Sequence, residues 1–181
     1  MDANIFVTFF RQQMAWLASN SVLITLEKHG CVVSFEFDST AFEDYIGDCG
    51  SPAVILSGHR TKNVKIQAPY GIAVLDAAVY VTLRYLKTVI EVNRITGAVT
   101  TVLEYADNLL RLAPFKDESL LVGFEHGAGI LNLHSFSASS LSGSSTSWSE
   151  FGTNIGFNQV EAMLAVVDSN FILVVDRLNN R

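Results

Sequence analysis

The chain has 181 residues, of which 49% are hydrophobic, 17% are charged and 3 are proline, a composition that excludes a disordered or collagen-like protein. The length predicts one globular domain with a large buried core. The formal net charge is −6, and the stretch 117–176 contains no lysine or arginine. Negative charge of this kind repels a phosphate backbone, so no nucleic-acid partner is expected.

Membrane insertion is also not expected. The most apolar runs, 5–10, 22–26 and 171–175, contain five or six residues, whereas a spanning helix needs about 18 or more. Asp2 precedes the first run and Arg11 ends it, a pattern that does not predict a signal peptide. The sequence leaves the cellular location open.

The apolar segments predict β-strands, because they are short, rich in β-branched and aromatic residues, and bounded by turn residues. In chain order, pairs of such segments recur four times, as 15–18 with 22–26, 71–75 with 79–83, 110–115 with 120–124, and 163–167 with 172–175. The second segments begin at Val22, Val79, Leu120 and Ile172, which lie 57, 41 and 52 residues apart. A four-stranded propeller blade takes about 40–50 residues.

Further strand-like segments follow the first three pairs, so the sequence predicts an all-β fold, a β-propeller of four-stranded antiparallel blades. The blade-like repeats cover about 14–46, 69–103, 109–151 and 160–181 of a single propeller region. Within the third repeat, nine of the fifteen residues from 135 to 149 are serine, and this segment is predicted to be a surface loop. The glycines within 123–129 are predicted to serve a loop that needs positive φ.

Two stretches resemble a known repeat. The residues 69–74, Pro-Tyr-Gly-Ile-Ala-Val, followed by 79–82, Val-Tyr-Val-Thr, look like the start of an NHL-type β-propeller repeat, and 172–181 is similar to its second half. The resemblance implies a ring of about six blades, of which this chain would be an incomplete portion. Its open ends would then contact the remaining blades of a longer chain or a second copy.

The same resemblance directs attention to one polar turn. In the last repeat the turn contains Asp176, Arg177, Asn179 and Asn180. In the second repeat Leu83 replaces the aspartate, so that Arg84 and Tyr85 occupy the corresponding turn. These six polar-turn residues are the candidate binding residues. The first interpretation of the turn in the last repeat is nevertheless a structural network of hydrogen bonds and ion pairs, with a contact surface as the alternative.

No catalytic residue and no metal ligand is assigned. None of the four histidines, including His126, lies at metal-ligand spacing, and Asp76, Asp117 and Asp168 occupy the same turn in successive repeats, where aspartate caps its own backbone. No cofactor is therefore expected, with a divalent cation such as Ca²⁺ or Zn²⁺ as the alternative.

Two cysteines, Cys31 and Cys49, form either one disulfide or two reduced thiols.

The predicted function is that of a non-catalytic interaction module, a scaffold that binds a protein partner, because a propeller gathers loops from every blade on one face. The alternative is an enzyme, either a metal-dependent lyase or a lactone or ester hydrolase, whose channel is completed by residues outside this chain.

Overall fold

The computed structural model describes residues 13–36, 42–46, 67–75, 78–94, 98–116, 118–133, 146–151, 155–166 and 171–181. Within these residues the chain forms fourteen β-strands and a short 3-10 helix, Glu27–His29. Among them, no helix is long and apolar enough to cross a membrane. The predicted all-β class is confirmed.

The strands form four antiparallel sheets, in which each strand pairs with its neighbour in sequence. Sheet 1 contains β1 (Met14–Ala18), β2 (Ser21–Leu26), β3 (Cys31–Glu36) and β4 (Phe42–Ile46), and sheet 2 contains β5 (Pro69–Leu75), β6 (Ala78–Leu83), β7 (Thr88–Asn93) and β8 (Val99–Glu104). Sheet 3 contains β9 (Leu109–Pro114), β10 (Ser119–Phe124), β11 (Gly127–Leu133) and β12 (Thr146–Phe151), and sheet 4 contains β13 (Val160–Ala165) and β14 (Ile172–Asp176). This up-and-down order is that of propeller blades.

The sheets pack face to face in chain order. One apolar cluster joins Leu23 of sheet 1 to Val79 of sheet 2, a second joins Tyr80 to Leu120 of sheet 3, and a third joins Leu121 to sheet 4. The first strands of the sheets lie beside one another, since β5 contacts β1 and β9, and β9 contacts β13. Sheets 1 to 4 are therefore successive blades, with their first strands innermost.

Two threonines repeat one connection between neighbouring blades. Thr82 Oγ1 accepts a hydrogen bond from the N–H of Gly71 (2.6 Å) in its own sheet and donates to the carbonyl of Leu110 (2.9 Å) in the next. Thr25 occupies the same position in sheet 1 and donates to the carbonyl of Tyr70 (2.9 Å) in sheet 2. Each hydroxyl satisfies backbone groups that ordinary strand pairing leaves without a partner.

Gln13 extends this network across three blades. Its side-chain oxygen accepts hydrogen bonds from the N–H of Ile72 (3.2 Å) and the N–H of Leu112 (3.1 Å), and its amide nitrogen donates to the carbonyl of Leu112. Gln13, which lies directly before β1, thereby holds the innermost strands of sheets 2 and 3 together.

Two features of sheet 3 differ from the sequence prediction. Strand β12 begins at Thr146, inside the predicted serine-rich loop, because it pairs with β11, where Trp148 lies opposite Leu131. The prediction of positive φ for Gly123, Gly127 and Gly129 is wrong, since none of the three has it.

Packing explains two of these glycines. A Cβ on Gly127 would lie 2.6 Å from Phe124 Cε2, and one on Gly129 would lie 2.5 Å from Trp148 Cζ2. Aromatic rings cover both positions, so the small size of glycine is needed there and its freedom of φ is not.

Several sequence predictions concern residues outside the described segments. They include the apolar run 5–10 and the turn residues Asp76, Asp117 and Asp168. Cys31 is fully buried and disulfide-bonded. The only other cysteine in the sequence, Cys49, lies outside the described segments, so the pairing of these two stays a prediction.

Candidate binding site on the turn face

Four turns lie at the edge of the sheets where the innermost strands begin. Each follows the second strand of its sheet, because an antiparallel hairpin returns the chain to the edge at which it started. The turns are residues 27–30, 84–87, 125–126 and 177–180. We call this edge the turn face, and all six candidate binding residues predicted from the sequence lie on it.

Six side chains contributed by all four sheets meet on the turn face around one tyrosine. We call them the Tyr70 cluster, which consists of Glu27, Tyr70, Arg84, Arg111, Glu161 and Arg177. Tyr70 is at the centre and is only 3% exposed. The Cζ of Arg111 lies 4.6 Å from the centroid of its ring, and the Cζ of Arg84 lies 5.1 Å from it. Both distances are within the range of a cation–π contact.

Ion pairs connect the arginines of the cluster. Glu161 bridges two of them, with Oε2 2.7 Å from Arg111 Nη2 and Oε1 3.2 Å from Arg177 Nη1. Arg84 Nη1 lies 3.6 Å from Glu27 Oε1, a longer contact. Three arginines thus face two glutamates, which leaves the Tyr70 cluster with one excess positive charge in a chain whose net charge is −6.

The surroundings of Tyr70 keep its hydroxyl protonated. Burial raises the pKa of Tyr70, and the charges of Glu161 and Glu27 act in the same direction. The nearby charges of Arg111 and Arg84 oppose this increase without cancelling it. Near neutral pH the phenol is therefore neutral, and it can donate or accept a hydrogen bond.

Two guanidinium groups of the cluster have unused hydrogen-bond donors. The Nε atoms of Arg84 and Arg111 are buried and have no partner in the described part of the chain. An unsatisfied buried donor costs about 1–3 kcal/mol, and more when it is charged. A hydrogen-bond acceptor of a ligand bound in the cluster would remove part of this free-energy cost by accepting from one of these Nε donors. The arginine side chain would have to shift to bring its Nε into contact with the ligand.

The turn that contains Asp176 is primarily structural. Asp176 is 1% exposed and accepts hydrogen bonds from the N–H of Asn158 (2.9 Å), from Asn179 Nδ2 (2.6 Å) and from Arg181 Nε (3.2 Å). Burial alone would raise the pKa of Asp176, but these hydrogen bonds and the charge of Arg181 outweigh it and hold the pKa below its usual value. Asn180 has a φ of 52°, which the turn requires.

Two of the other predicted residues, Tyr85 and Arg177, are exposed on the turn face. Tyr85 is 62% exposed, and its ring lies 5.5 Å from the Cζ of Arg84. Arg177 is the most exposed member of the Tyr70 cluster. The structure therefore brings Arg84 and Arg177 into one cluster and leaves Asp176 and Asn179 in the turn that supports it.

Four members of the cluster, Glu27, Tyr70, Arg111 and Glu161, were missed by sequence reasoning. A signal for one of them was present, since Arg111 is a charged residue within the apolar run 109–113. A buried charged side chain requires an ion-pair or hydrogen-bond partner, so a charged residue within an apolar strand indicates a cluster of polar side chains.

A second group of polar side chains lies on the turn face of sheet 3. His126 Nδ1 lies 2.9 Å from Asp107 Oδ2, and Asn108 Nδ2 donates to Glu125 Oε2 (2.8 Å). One ligand atom from each of Asp107, Glu125 and His126 lies within 4.8 Å of the others. Carboxylate oxygen and imidazole nitrogen are suitable ligands for several divalent cations.

Comparison with known proteins identifies the fold. No family model matches the chain, and no curated protein matches its sequence, so the NHL-repeat type stays a prediction. Among solved structures, the chain is similar to virginiamycin B lyase from Staphylococcus aureus, solved with quinupristin as a catalytically inactive variant in which a histidine is replaced by alanine. The TM-score is 0.59 at 10% identity, over 90% of this chain and 47% of that one. The chain has a β-propeller fold and spans about half the length of that lyase.

Proposed function

We propose that this chain belongs to a β-propeller binding module that recognises an acidic group of a partner protein at the Tyr70 cluster. The observation that carries the proposal is the placement of two arginines, each with an unpartnered buried Nε, against one buried tyrosine. The proposed ligand group is a carboxylate, because the planar guanidinium group can bind both of its oxygens at once.

The exposed and buried residues of the site have different roles in this proposal. Arg84 and Arg177 approach the ligand from the surface, and Tyr85 offers an exposed aromatic ring beside Arg84. Arg111 and Tyr70 are more deeply buried, with Arg111 paired to Glu161 and stacked on the Tyr70 ring. Tyrosine and arginine are enriched among the residues that dominate binding energy at protein interfaces.

The test is an array of short peptides in matched pairs, one peptide containing Asp or Glu and the other containing Asn or Gln. We expect the 181-residue chain to bind peptides of the acidic set and not their uncharged counterparts. Arg84→Gln should weaken binding roughly tenfold or more, since a hydrogen bond to a charged group contributes about 1.5–3 kcal/mol.

The matched control is Lys116→Gln, which removes one positive charge from an exposed residue in the turn between β9 and β10, at the opposite edge of sheet 3. It should leave peptide binding nearly unchanged. Equal loss of binding in the two variants would contradict a specific site, because it would indicate a general effect of net charge. Equal binding of acidic and uncharged peptides would contradict the proposed ligand.

A metal-dependent lyase is the second candidate, and the grouping of Asp107, Glu125 and His126 favours it. In that case isothermal titration with Zn²⁺ or Ca²⁺ should show one ion bound per chain, and His126→Ala should abolish the binding. Glu104→Gln, which changes an exposed carboxylate on β8, should not. If the wild-type chain takes up no stoichiometric ion, the metal site on this face is refuted.

A further inference from the structure

The turn between β6 and β7 exposes two large apolar side chains. Tyr85 is 62% exposed and Leu86 is 46% exposed. Among the described residues of sheets 2 and 3 and their turns, these two are the only exposed large apolar residues. Sheet 2 packs between sheets 1 and 3, so the exposure of this pair does not come from an open end face of the propeller.

Hydrogen bonds hold this turn in place. The N–H of Arg84 donates to the carbonyl of Ala68 (3.1 Å), and the N–H of Lys87 donates to the carbonyl of Arg84 (3.3 Å). The carbonyl of Lys87 accepts from the N–H of Tyr105 (2.9 Å), and Lys87 Nζ donates to the carbonyl of Ala106 (2.7 Å). The backbone that presents the two apolar side chains is therefore already ordered, which lowers the entropy lost when a partner contacts them.

The apolar pair adjoins a charged member of the Tyr70 cluster. Arg84 directly precedes Tyr85, and its Cζ lies 5.1 Å from the ring centroid of the buried Tyr70 and 5.5 Å from that of Tyr85. In the turn of sheet 4, Leu178 likewise directly follows Arg177. The turns of sheets 1 and 3 begin instead with a glutamate, and the next residue is lysine or histidine. An apolar residue thus follows the first turn residue only where that residue is arginine.

We propose that the partner segment recognised at the Tyr70 cluster has a large apolar residue two positions from its acidic residue, an inference that rests on the proposed function. The carboxylate would bind Arg84, and the apolar side chain would pack on Tyr85 and Leu86. In an extended segment, side chains two residues apart point to the same side and lie about 7 Å apart. This spacing is close to the 5.5 Å between Arg84 Cζ and the Tyr85 ring. Charge and apolar surface on the turn are then both matched by one short segment.

Peptides that differ at a single position test the inference by fluorescence anisotropy. Each contains one Asp, with Leu or Ser placed two positions before it in one series and two positions after it in the other. In at least one series the Leu peptide should bind the 181-residue chain roughly tenfold more tightly than the Ser peptide, because part of the leucine side chain becomes buried.

Two variants locate the contact. Replacing both apolar residues, Tyr85→Ser with Leu86→Ser, should reduce the ratio between the Leu and Ser peptides to about twofold or less. The control is Leu164→Ser, which removes a leucine that is 60% exposed at the fifth position of β13, away from the turn face. It should leave the ratio unchanged. A Leu preference that persists in the double variant would overturn the inference.

Forms of the same peptides with Asn in place of Asp separate this inference from the proposed function. If the wild-type chain prefers Asp to Asn but binds the Leu and Ser peptides equally in both series, the apolar contact is refuted and the acidic site stands. If the Asp and Asn forms bind equally, or no peptide binds, the proposed function fails and the inference fails with it. These comparisons use the wild-type chain, so they decide the inference even if the double variant does not fold.

Discussion

Gly71→Ala is expected to lower the free energy of unfolding by about 3 kcal/mol, the upper part of the usual range for overpacking a core. A Cβ at this position would lie 2.9 Å from Leu112 N and 2.9 Å from Thr82 Oγ1, and closer still to the carbonyl of Leu110. These atoms belong to the backbone of β9 and to the threonine that connects sheets 2 and 3, so none can move without breaking hydrogen bonds. Equilibrium denaturation of the variant and the wild-type chain measures the difference.

Gly156→Asn is the matched control for this substitution. Gly156 has a φ of +65°, and a Cβ there would meet nothing within 4 Å. Asparagine tolerates this backbone conformation better than most residues, so the expected loss is under about 1 kcal/mol. If Gly71→Ala were as well tolerated as the control, sheets 2 and 3 could not approach each other as closely as described.

Asp176→Asn is expected to destabilise the fold by about 1–3 kcal/mol, because a buried hydrogen-bond network would lose its charged acceptor. The N–H of Asn158 donates to Oδ1 of Asp176, and Asn179 and Arg181 both donate to Oδ2. An amide at this position offers these three donors one oxygen and no charge. Thermal unfolding at neutral pH measures the effect. Glu104→Gln, which neutralises an exposed carboxylate on β8, is the control and should have little effect.

The pH dependence of stability tests the same carboxylate. The folded state holds the pKa of Asp176 below its unfolded value, which is about 3.9. The carboxylate therefore contributes stability above that unfolded value and loses it as the pH falls through the lower folded value. Wild-type stability should decline over this acidic range more steeply than that of Asp176→Asn. Parallel curves for the two proteins would contradict the assigned network.

Much of the fold follows from local sequence. Val22, Val79, Leu120 and Ile172 each lie at or next to the start of the second strand of a sheet, because a β-branched or aliphatic run after a tight turn has few other ways to bury its side chains. The blade assignment followed from the spacing of these residues. The boundaries were less accurate where pairing decided them, since β12 begins within a serine-rich segment whose composition alone predicts a loop.

The candidate site was only partly predictable for a different physical reason. Arg84 and Arg177 could be named because they belong to a repeated turn within single blades. Tyr70, Arg111 and Glu161 come from the innermost strands of three sheets, and they meet only because those strands lie side by side. The residue pattern within one blade therefore does not predict which side chains of different blades are in contact.

A double-mutant cycle between Arg84 and the ligand carboxylate tests the central claim most directly. It would combine Arg84→Gln with an Asp-to-Asn change in an acidic peptide that binds the wild-type chain, and measure the four affinities. If this carboxylate binds at the Tyr70 cluster, the two changes should be coupled by at least about 1.5 kcal/mol, as close charge pairs at interfaces are. Effects that add to within about 0.5 kcal/mol would mean that Arg84 does not contact that carboxylate, and would contradict the proposed mode of binding.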